Sequence, residues 1–178
     1  LAPDVMVAFG KTPPGPLSAK KNKSYLIWNY GSPPDVVIEI VSNTEGGEDS
    51  HKLRKYAEWR VGYYVIYDPF SYLGSRPLRC YQLRGTHYVE ALDPFKLQDF
   101  GLGFVIEEGH FRGYDGPWLR WIDSQGDLLL TGVERAETEK ARAESEKARA
   151  ELAEQKTELA QAEAERLRAK LRELGIES

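Results

Sequence analysis

The start of the chain shows two short apolar runs with the pattern of buried β-strands. The first run covers residues 5–9 and the second covers residues 36–41. Because side chains of a strand point alternately to its two faces, the second run has one fully apolar face and one face that also carries Asp35 and Glu39. Burying a charge without a partner is costly, so these carboxylates indicate a bound cation or an ion pair.

Several later segments predict the rest of a folded domain. A helix is predicted to begin near residues 48–49, a third strand at residues 63–67, a hairpin around residues 84–85 and a further strand pair in residues 101–121. Together with the first two runs, these elements predict an α/β domain with a mixed β-sheet flanked by helices.

The C-terminal part of the chain has a different composition. From Glu134 onward it is rich in Glu, Ala, Lys and Arg, and no glycine or proline interrupts it until Gly175, which predicts one long helix. We therefore divide the chain into a domain of residues 1–131 and a helical region of residues 132–178. A heptad seam of mostly small and polar side chains favours weak self-association as a homodimer through this helix, with a single solvated helix as the alternative.

The acids of the first two runs suggest a metal site. Asp35 and Glu39 lie roughly 13 Å apart along an extended strand, too far to bind one ion closely. If the two runs pair antiparallel, Asp4 comes beside Glu39, and Asp35 lies near Phe9. Divalent cations such as Mg²⁺ prefer carboxylate oxygens, so Asp4 and Glu39 are the predicted metal ligands. Capping of backbone groups at a strand end is the alternative role for Asp4 and Asp35.

Lys52 falls in the first turn of the predicted helix that follows the second run. A cation is unfavourable at this end of a helix, because the helix dipole is positive there. Lys52 therefore indicates either a nearby anion or a solvated surface position. Together with Glu39 and Asp4, it completes a set of two acids and one cation.

Four segments follow one another in a recognisable order: Asp4-Val-Met-Val, Pro34-Asp35-Val-Val-Ile-Glu39-Ile-Val41, Asp49-x-x-Lys52-x-x-x-Tyr56 and Gly62-Tyr-Tyr-Val-Ile-Tyr-Asp68-Pro69. Their order and spacing resemble the Uma2 (DUF820) family, which is abundant in cyanobacteria and assigned to the PD-(D/E)XK nuclease superfamily. The resemblance implies a restriction endonuclease-like fold. It also implies that the first helix and strand of that fold precede this chain, so we expect a fragment of a longer protein.

The resemblance implies a Mg²⁺-dependent (or Mn²⁺-dependent) endonuclease that hydrolyses phosphodiester bonds in DNA. Asp4 and Glu39 would bind the metal, and Asp35 is a further candidate catalytic residue. The superfamily places a lysine two residues after the second acid, where this chain has Val41, and the resemblance assigns that charge to Lys52. The alternative is an inactive binding module of the same fold that recruits a protein partner through the C-terminal helix.

Composition limits the other classes of function. A formal net charge of -4 gives no global attraction to DNA, so any contact must use local basic patches such as residues 11–23. The three histidines show no zinc-site spacing, and the single cysteine, Cys80, indicates a reducing compartment. No apolar stretch is long enough to span a membrane, and we expect a cytoplasmic protein.

Overall fold

A computed structural model describes residues 2–12, 15–16, 24–43, 48–111 and 113–173. The chain divides into two compact units, residues 1–129 and 130–178. The elements of the first unit are β1 (Val5–Val7), α1 (Ile27–Tyr30), β2 (Val36–Ile40), α2 (Leu53–Glu58), β3 (Tyr63–Tyr67), β4 (Leu78–Arg84), β5 (His87–Glu90), β6 (Lys96–Leu97), β7 (Leu102–Phe111) and β8 (Tyr114–Asp123).

The first five strands form one mixed sheet in the order β1-β2-β3-β4-β5. Strands β2 and β3 are parallel, whereas the other neighbours are antiparallel. A parallel pair needs a crossover, and here the π-helical turn Glu48–Lys52 and helix α2 provide it. The predicted mixed sheet and the helix near residues 48–49 are both confirmed.

Strands β6, β7 and β8 form a second, three-stranded antiparallel sheet. The predicted strand pair in residues 101–121 is confirmed as β7 and β8. It does not extend the central sheet, because its buried side chains pack on that sheet face to face. Leu97 and Phe104 are buried in the same core cluster as Val36 and Ile38 of β2.

Strand β2 separates two cores, as its alternating side chains predict. Val36 and Ile38 belong to the core shared with the second sheet. Val37 and Val41 belong to the other core, which includes Tyr56 of α2. Glu39 lies on the face of Val37 and Val41, so the helix covers the strand face that carries the acid.

Two turns fix the ends of the strands. Gly85 adopts a positive φ of 62° in the tight connection between β4 and β5, which confirms the predicted hairpin. Asp68 follows β3, and its carboxylate accepts the backbone N–H groups of Tyr72 at 2.9 Å and Leu73 at 2.7 Å. These contacts form a turn, which is the structure that an Asp-Pro pair favours.

The second unit contains helix α3 (Gly132–Glu173), which spans 42 residues and confirms the predicted long helix. No side chain of this helix is buried. Ion pairs one turn apart, such as Lys140–Glu144 and Arg142–Glu146, connect its exposed side chains. Throughout the part of the chain that the structure describes, we find no helix with the length and apolar character needed to cross a membrane.

Candidate active site

Glu39 is the only glutamate among the buried side chains of the described residues, with 2 % of its surface exposed. It occupies the second-last position of β2, between Ile38 and Ile40. Burial of a carboxylate in such a strand is unfavourable unless hydrogen bonds and a counter-charge compensate for the lost hydration. The contacts of its two oxygens therefore define the site.

Lys52 provides the counter-charge. Its Nζ lies 2.9 Å from Oε2 of Glu39, and its side chain is 21 % exposed. The lysine reaches the strand because the π-helical turn ends at this residue, directly before α2 begins at Leu53. Of the two alternatives for Lys52, the structure shows the nearby anion rather than a solvated position.

Tyr56 binds the other oxygen of the same carboxylate. Its hydroxyl donates to Oε1 of Glu39 at 2.6 Å, and the side chain is 1 % exposed. Burial raises the pKa of Tyr56 well above its usual range, and the hydrogen bond and negative charge of Glu39 raise the pKa further. The negative charge of Asp4 adds to this rise in the pKa.

Asp4 lies at the start of β1, beside the end of β2. In the ladder Val5 is opposite Ile38, and Oδ2 of Asp4 accepts the backbone N–H of Ile40 at 2.8 Å. The antiparallel pairing expected from the sequence is confirmed, and one further step of this register places Asp4 opposite Glu39. Asp4 and Glu39 therefore lie on neighbouring strand ends, as predicted.

Asp35 is not brought to this cluster. It precedes β2, at the opposite end of the strand from Glu39, and its Oδ2 accepts the backbone N–H of Phe9 at 2.7 Å. This contact agrees with the predicted proximity of Asp35 and Phe9. It has the geometry of the capping role that we gave as the alternative to catalysis.

The cluster offers a limited set of metal ligands. Its hard donors are the carboxylates of Asp4 and Glu39, and the described residues contain no group of three or more His, Cys, Asp and Glu that could hold a metal. Mg²⁺ commonly binds one or two carboxylates and completes its shell with water and substrate phosphate. Carboxylates are donors of the type that such a cation prefers, and in this structure Lys52 and Tyr56 contact the two oxygens of Glu39.

Tyr56 was not predicted from the sequence as a partner of Glu39 and appeared only as the last residue of the motif Asp49-x-x-Lys52-x-x-x-Tyr56. The signal that identifies it is the spacing of four residues from Lys52, which places both side chains on one side of the helical segment. Residues at this spacing can approach the same carboxylate from two directions.

The mixed sheet with its crossover helix agrees with the predicted restriction endonuclease-like class of fold. The model of the Uma2 family, described as "Putative restriction endonuclease", matches residues 1–100, more than half of the chain. The chain therefore belongs to the Uma2 family, and membership suggests a nuclease. Neither the curated proteins nor the solved structures gave a significant match.

Proposed function

We propose that the protein is a Mg²⁺-dependent endonuclease that hydrolyses phosphodiester bonds in DNA. The observation that carries the proposal is a buried carboxylate, Glu39, with the Lys52 ammonium 2.9 Å from Oε2 and Asp4 on the adjacent strand. Two acids and a cation at the edge of a mixed sheet suit phosphodiester hydrolysis. Membership of the Uma2 family supports the same activity.

Asp4 and Glu39 would hold the metal ion between β1 and β2. When bound there, Mg²⁺ supplies positive charge at the scissile phosphate and lowers the pKa of an attacking water. Tyr56 keeps Oε1 of Glu39 in a fixed direction through its 2.6 Å hydrogen bond. This contact orients the carboxylate, since the tyrosine lies in a packed core.

Lys52 has two roles in this proposal. In the protein without substrate, its ammonium compensates for the burial of Glu39. With DNA bound, the same ammonium would turn to a phosphoryl oxygen and stabilise the negative charge that develops there. The side chain is partly exposed, which leaves it room for this exchange.

The net charge of -4 does not oppose this function, because a metal ion at the scissile phosphate provides local positive charge. Contacts to the DNA backbone would come from local basic side chains rather than from the whole surface. Arg84 at the end of β4 and Arg76 just before β4 are exposed. Arg76 pairs with Glu90 and Arg84 donates to Gln82, and exposed contacts of this kind can be exchanged for DNA phosphates at small cost.

Replacing the carboxylate of Glu39 by an amide should weaken metal binding and abolish DNA cleavage. The test compares the unmodified chain with Glu39→Gln. Titration calorimetry with Mn²⁺ and Mg²⁺ measures metal affinity, and nicking of supercoiled plasmid measures DNA cleavage. We expect metal affinity to fall by roughly tenfold or more, because a ligand charge is lost, and nicking to disappear. Glu58→Gln is the matched control, since Glu58 is an exposed carboxylate at the end of α2.

Two results would overturn the endonuclease proposal. One is the absence of metal binding by the unmodified chain, and the other is metal binding without any nicking of plasmid DNA. Either result would favour an inactive module of the same fold that binds a partner protein through α3. Circular dichroism of each variant would establish that the change at Glu39 leaves the fold intact.

A further inference from the structure

Helix α3 carries a heptad repeat with a seam along one side. The two seam positions, a and d, hold small, polar and leucine side chains: Thr138, Ala141, Ser145, Ala148, Leu152, Gln155, Leu159 and Ala162. Leu152 and Leu159 are 53 % and 72 % exposed. A seam of this kind matches the contact line of two paired helices, although most of its side chains are too small for a tight interface.

The positions that flank the seam are charged in a strictly ordered way. Position g, which precedes each a residue, is Glu137, Glu144 and Glu151 in three successive heptads. Position e, which follows each d residue, is basic in all three: Arg142, Arg149 and Lys156. One edge of the seam is therefore acidic and the other edge is basic. Such flanking charges select the partner and orientation of a coiled coil.

These charges distinguish the two orientations of a pair of identical helices. In a parallel pair, each g residue meets the e residue five positions further along the other chain, so Glu144 meets Arg149 and Glu151 meets Lys156. In an antiparallel pair, g meets g and e meets e, which opposes glutamate to glutamate and base to base. The pattern therefore favours the parallel pair and disfavours the antiparallel one.

The favourable charge pairing covers only part of the helix. The next g and e residues are Glu158 and Glu163, which repel each other in a parallel pair. Beyond Leu159 the following leucine is Leu167, one position out of the heptad. Both changes occur after the third charged heptad, so favourable pairing ends near residue 160.

Ion pairs within α3 compete only weakly with such pairing. The Lys140–Glu144 pair has an N–O distance of 4.0 Å, the Lys147–Glu151 pair one of 3.8 Å and the Arg142–Glu146 pair one of 3.1 Å. All six side chains are at least 60 % exposed. Exposed pairs of this kind contribute little to stability, so their charged groups can turn to a second helix at small cost.

We propose that α3 binds α3 of a second copy of this chain as a parallel, in-register two-stranded coiled coil over residues 137–159. The acidic and basic edges set the orientation, and the two leucines provide the main apolar contact. The small and polar seam residues keep the association weak. This pairing is independent of the nuclease proposal, because it uses no residue of the candidate active site.

Reversal of two g charges tests the pairing. Glu144→Lys with Glu151→Lys turns four attractive contacts of the dimer into repulsive ones. We expect the dissociation constant from sedimentation equilibrium of the full chain to rise by roughly tenfold or more. Glu139→Lys with Glu154→Lys is the control, since it changes the net charge equally on the outer side of the helix and spares the Arg142–Glu146 pair, and it should change the constant little. Equal weakening by both double variants would overturn the proposal.

The complementary variant Arg149→Glu with Lys156→Glu should also weaken its own dimer, and mixing the two double variants should restore association. Cross-linking tests the orientation. Ser145→Cys lies at a seam position that faces its own copy only in a parallel, in-register pair, whereas Ala143→Cys lies on the outer side. Cys80 does not interfere, because it is buried and burial raises its pKa to about 12.

We expect Ser145→Cys to form disulfide-linked dimers under mild oxidation much faster than Ala143→Cys. Equal rates for the two cysteines would overturn the parallel arrangement. A chain that stays monomeric across the micromolar range in sedimentation would overturn the pairing altogether. Circular dichroism of each variant would show that α3 remains helical, so that a loss of association is not a loss of helix.

Discussion

The two ends of the β1–β2 ladder contain the same backbone contact and differ in what lies beside it. At one end Asp35 accepts the N–H of Phe9 at 2.7 Å, and at the other Asp4 accepts the N–H of Ile40 at 2.8 Å. Each aspartate precedes its own strand and fixes the far end of the neighbouring strand. Among the described residues, only the end with Asp4 has a second, buried carboxylate, that of Glu39.

This difference shows that a strand-end aspartate is not sufficient for a candidate site. The end with Asp4 differs because α2 covers it and places Lys52 and Tyr56 on the two oxygens of Glu39. The cation and the hydroxyl allow a carboxylate to stay buried near a second acid. The backbone hydrogen bond of Asp35 therefore has a structural role, whereas the contacts around Glu39 beside Asp4 suit a chemical role.

Loss of the cation should have the largest effect on this comparison. Lys52→Met keeps most of the side-chain length and leaves Glu39 buried without its ammonium partner. We expect the free energy of unfolding to fall by about 3 kcal/mol, less than for a fully buried pair because Lys52 is partly exposed. Urea unfolding followed by circular dichroism measures the change.

The matched control is Lys55→Met on the same helix. Lys55 pairs with Glu58 at 2.7 Å, but both side chains are exposed, so its loss should lower the free energy of unfolding much less than the loss of Lys52. Similar losses for the two lysines would mean that the Glu39 pair contributes no more than a surface ion pair. The distinction between the two ends would then lose its energetic basis.

Removal of the tyrosine hydroxyl should have an intermediate effect. Tyr56→Phe leaves Oε1 of Glu39 without this donor, and we expect a loss of about 2 kcal/mol in urea unfolding because the acceptor is charged. Tyr88→Phe is the control, since the Tyr88 hydroxyl donates to the neutral carbonyl of Val61 at 2.9 Å. Its loss should cost about 1 kcal/mol. A larger loss for Tyr88→Phe would contradict the special role of the Glu39 contact.

The smallest effect on stability should come from changes to the two strand-end aspartates, Asp4 and Asp35. Asp4→Asn and Asp35→Asn retain an acceptor oxygen but lose its charge, so each should lower the free energy of unfolding by about 1 kcal/mol or less. Calorimetric titration with Mn²⁺ then separates the two ends. We expect Asp4→Asn to weaken metal binding by roughly tenfold and Asp35→Asn to leave it unchanged. Equal weakening by both changes would require a metal site different from the one proposed.

Much of the local structure was predictable because it depends on short-range patterns. The alternation around Glu39 assigned its strand face correctly, since the direction of a strand side chain depends only on its position. The tight turn at Gly85 and the long helix α3 follow equally from local residue preference. The pairing of β1 with β2 was only a condition in the sequence analysis, and the structure shows the antiparallel arrangement that this condition assumed.

Other features depended on contacts between distant segments. Glu39 and Tyr56 are 17 positions apart, and their hydrogen bond requires the crossover to place α2 over this part of β2. The second sheet is a further example, because the sequence predicts β7 and β8 as a pair but not the face on which they pack. Local patterns contain no information on the distance between such segments.

For this protein, the sequence alone determined most of the strands, helices α2 and α3, and the faces on which the acids lie, because these follow from residue preferences and from the periods of strand and helix. The short elements α1 and β6 were not predicted. Only the tertiary structure decided which acid is buried and which cation and hydroxyl bind it. Packing of a crossover helix on a sheet brings residues together that are far apart in the chain. The contrast between Asp35 and Asp4 arises at this level, since both aspartates occupy equivalent local positions.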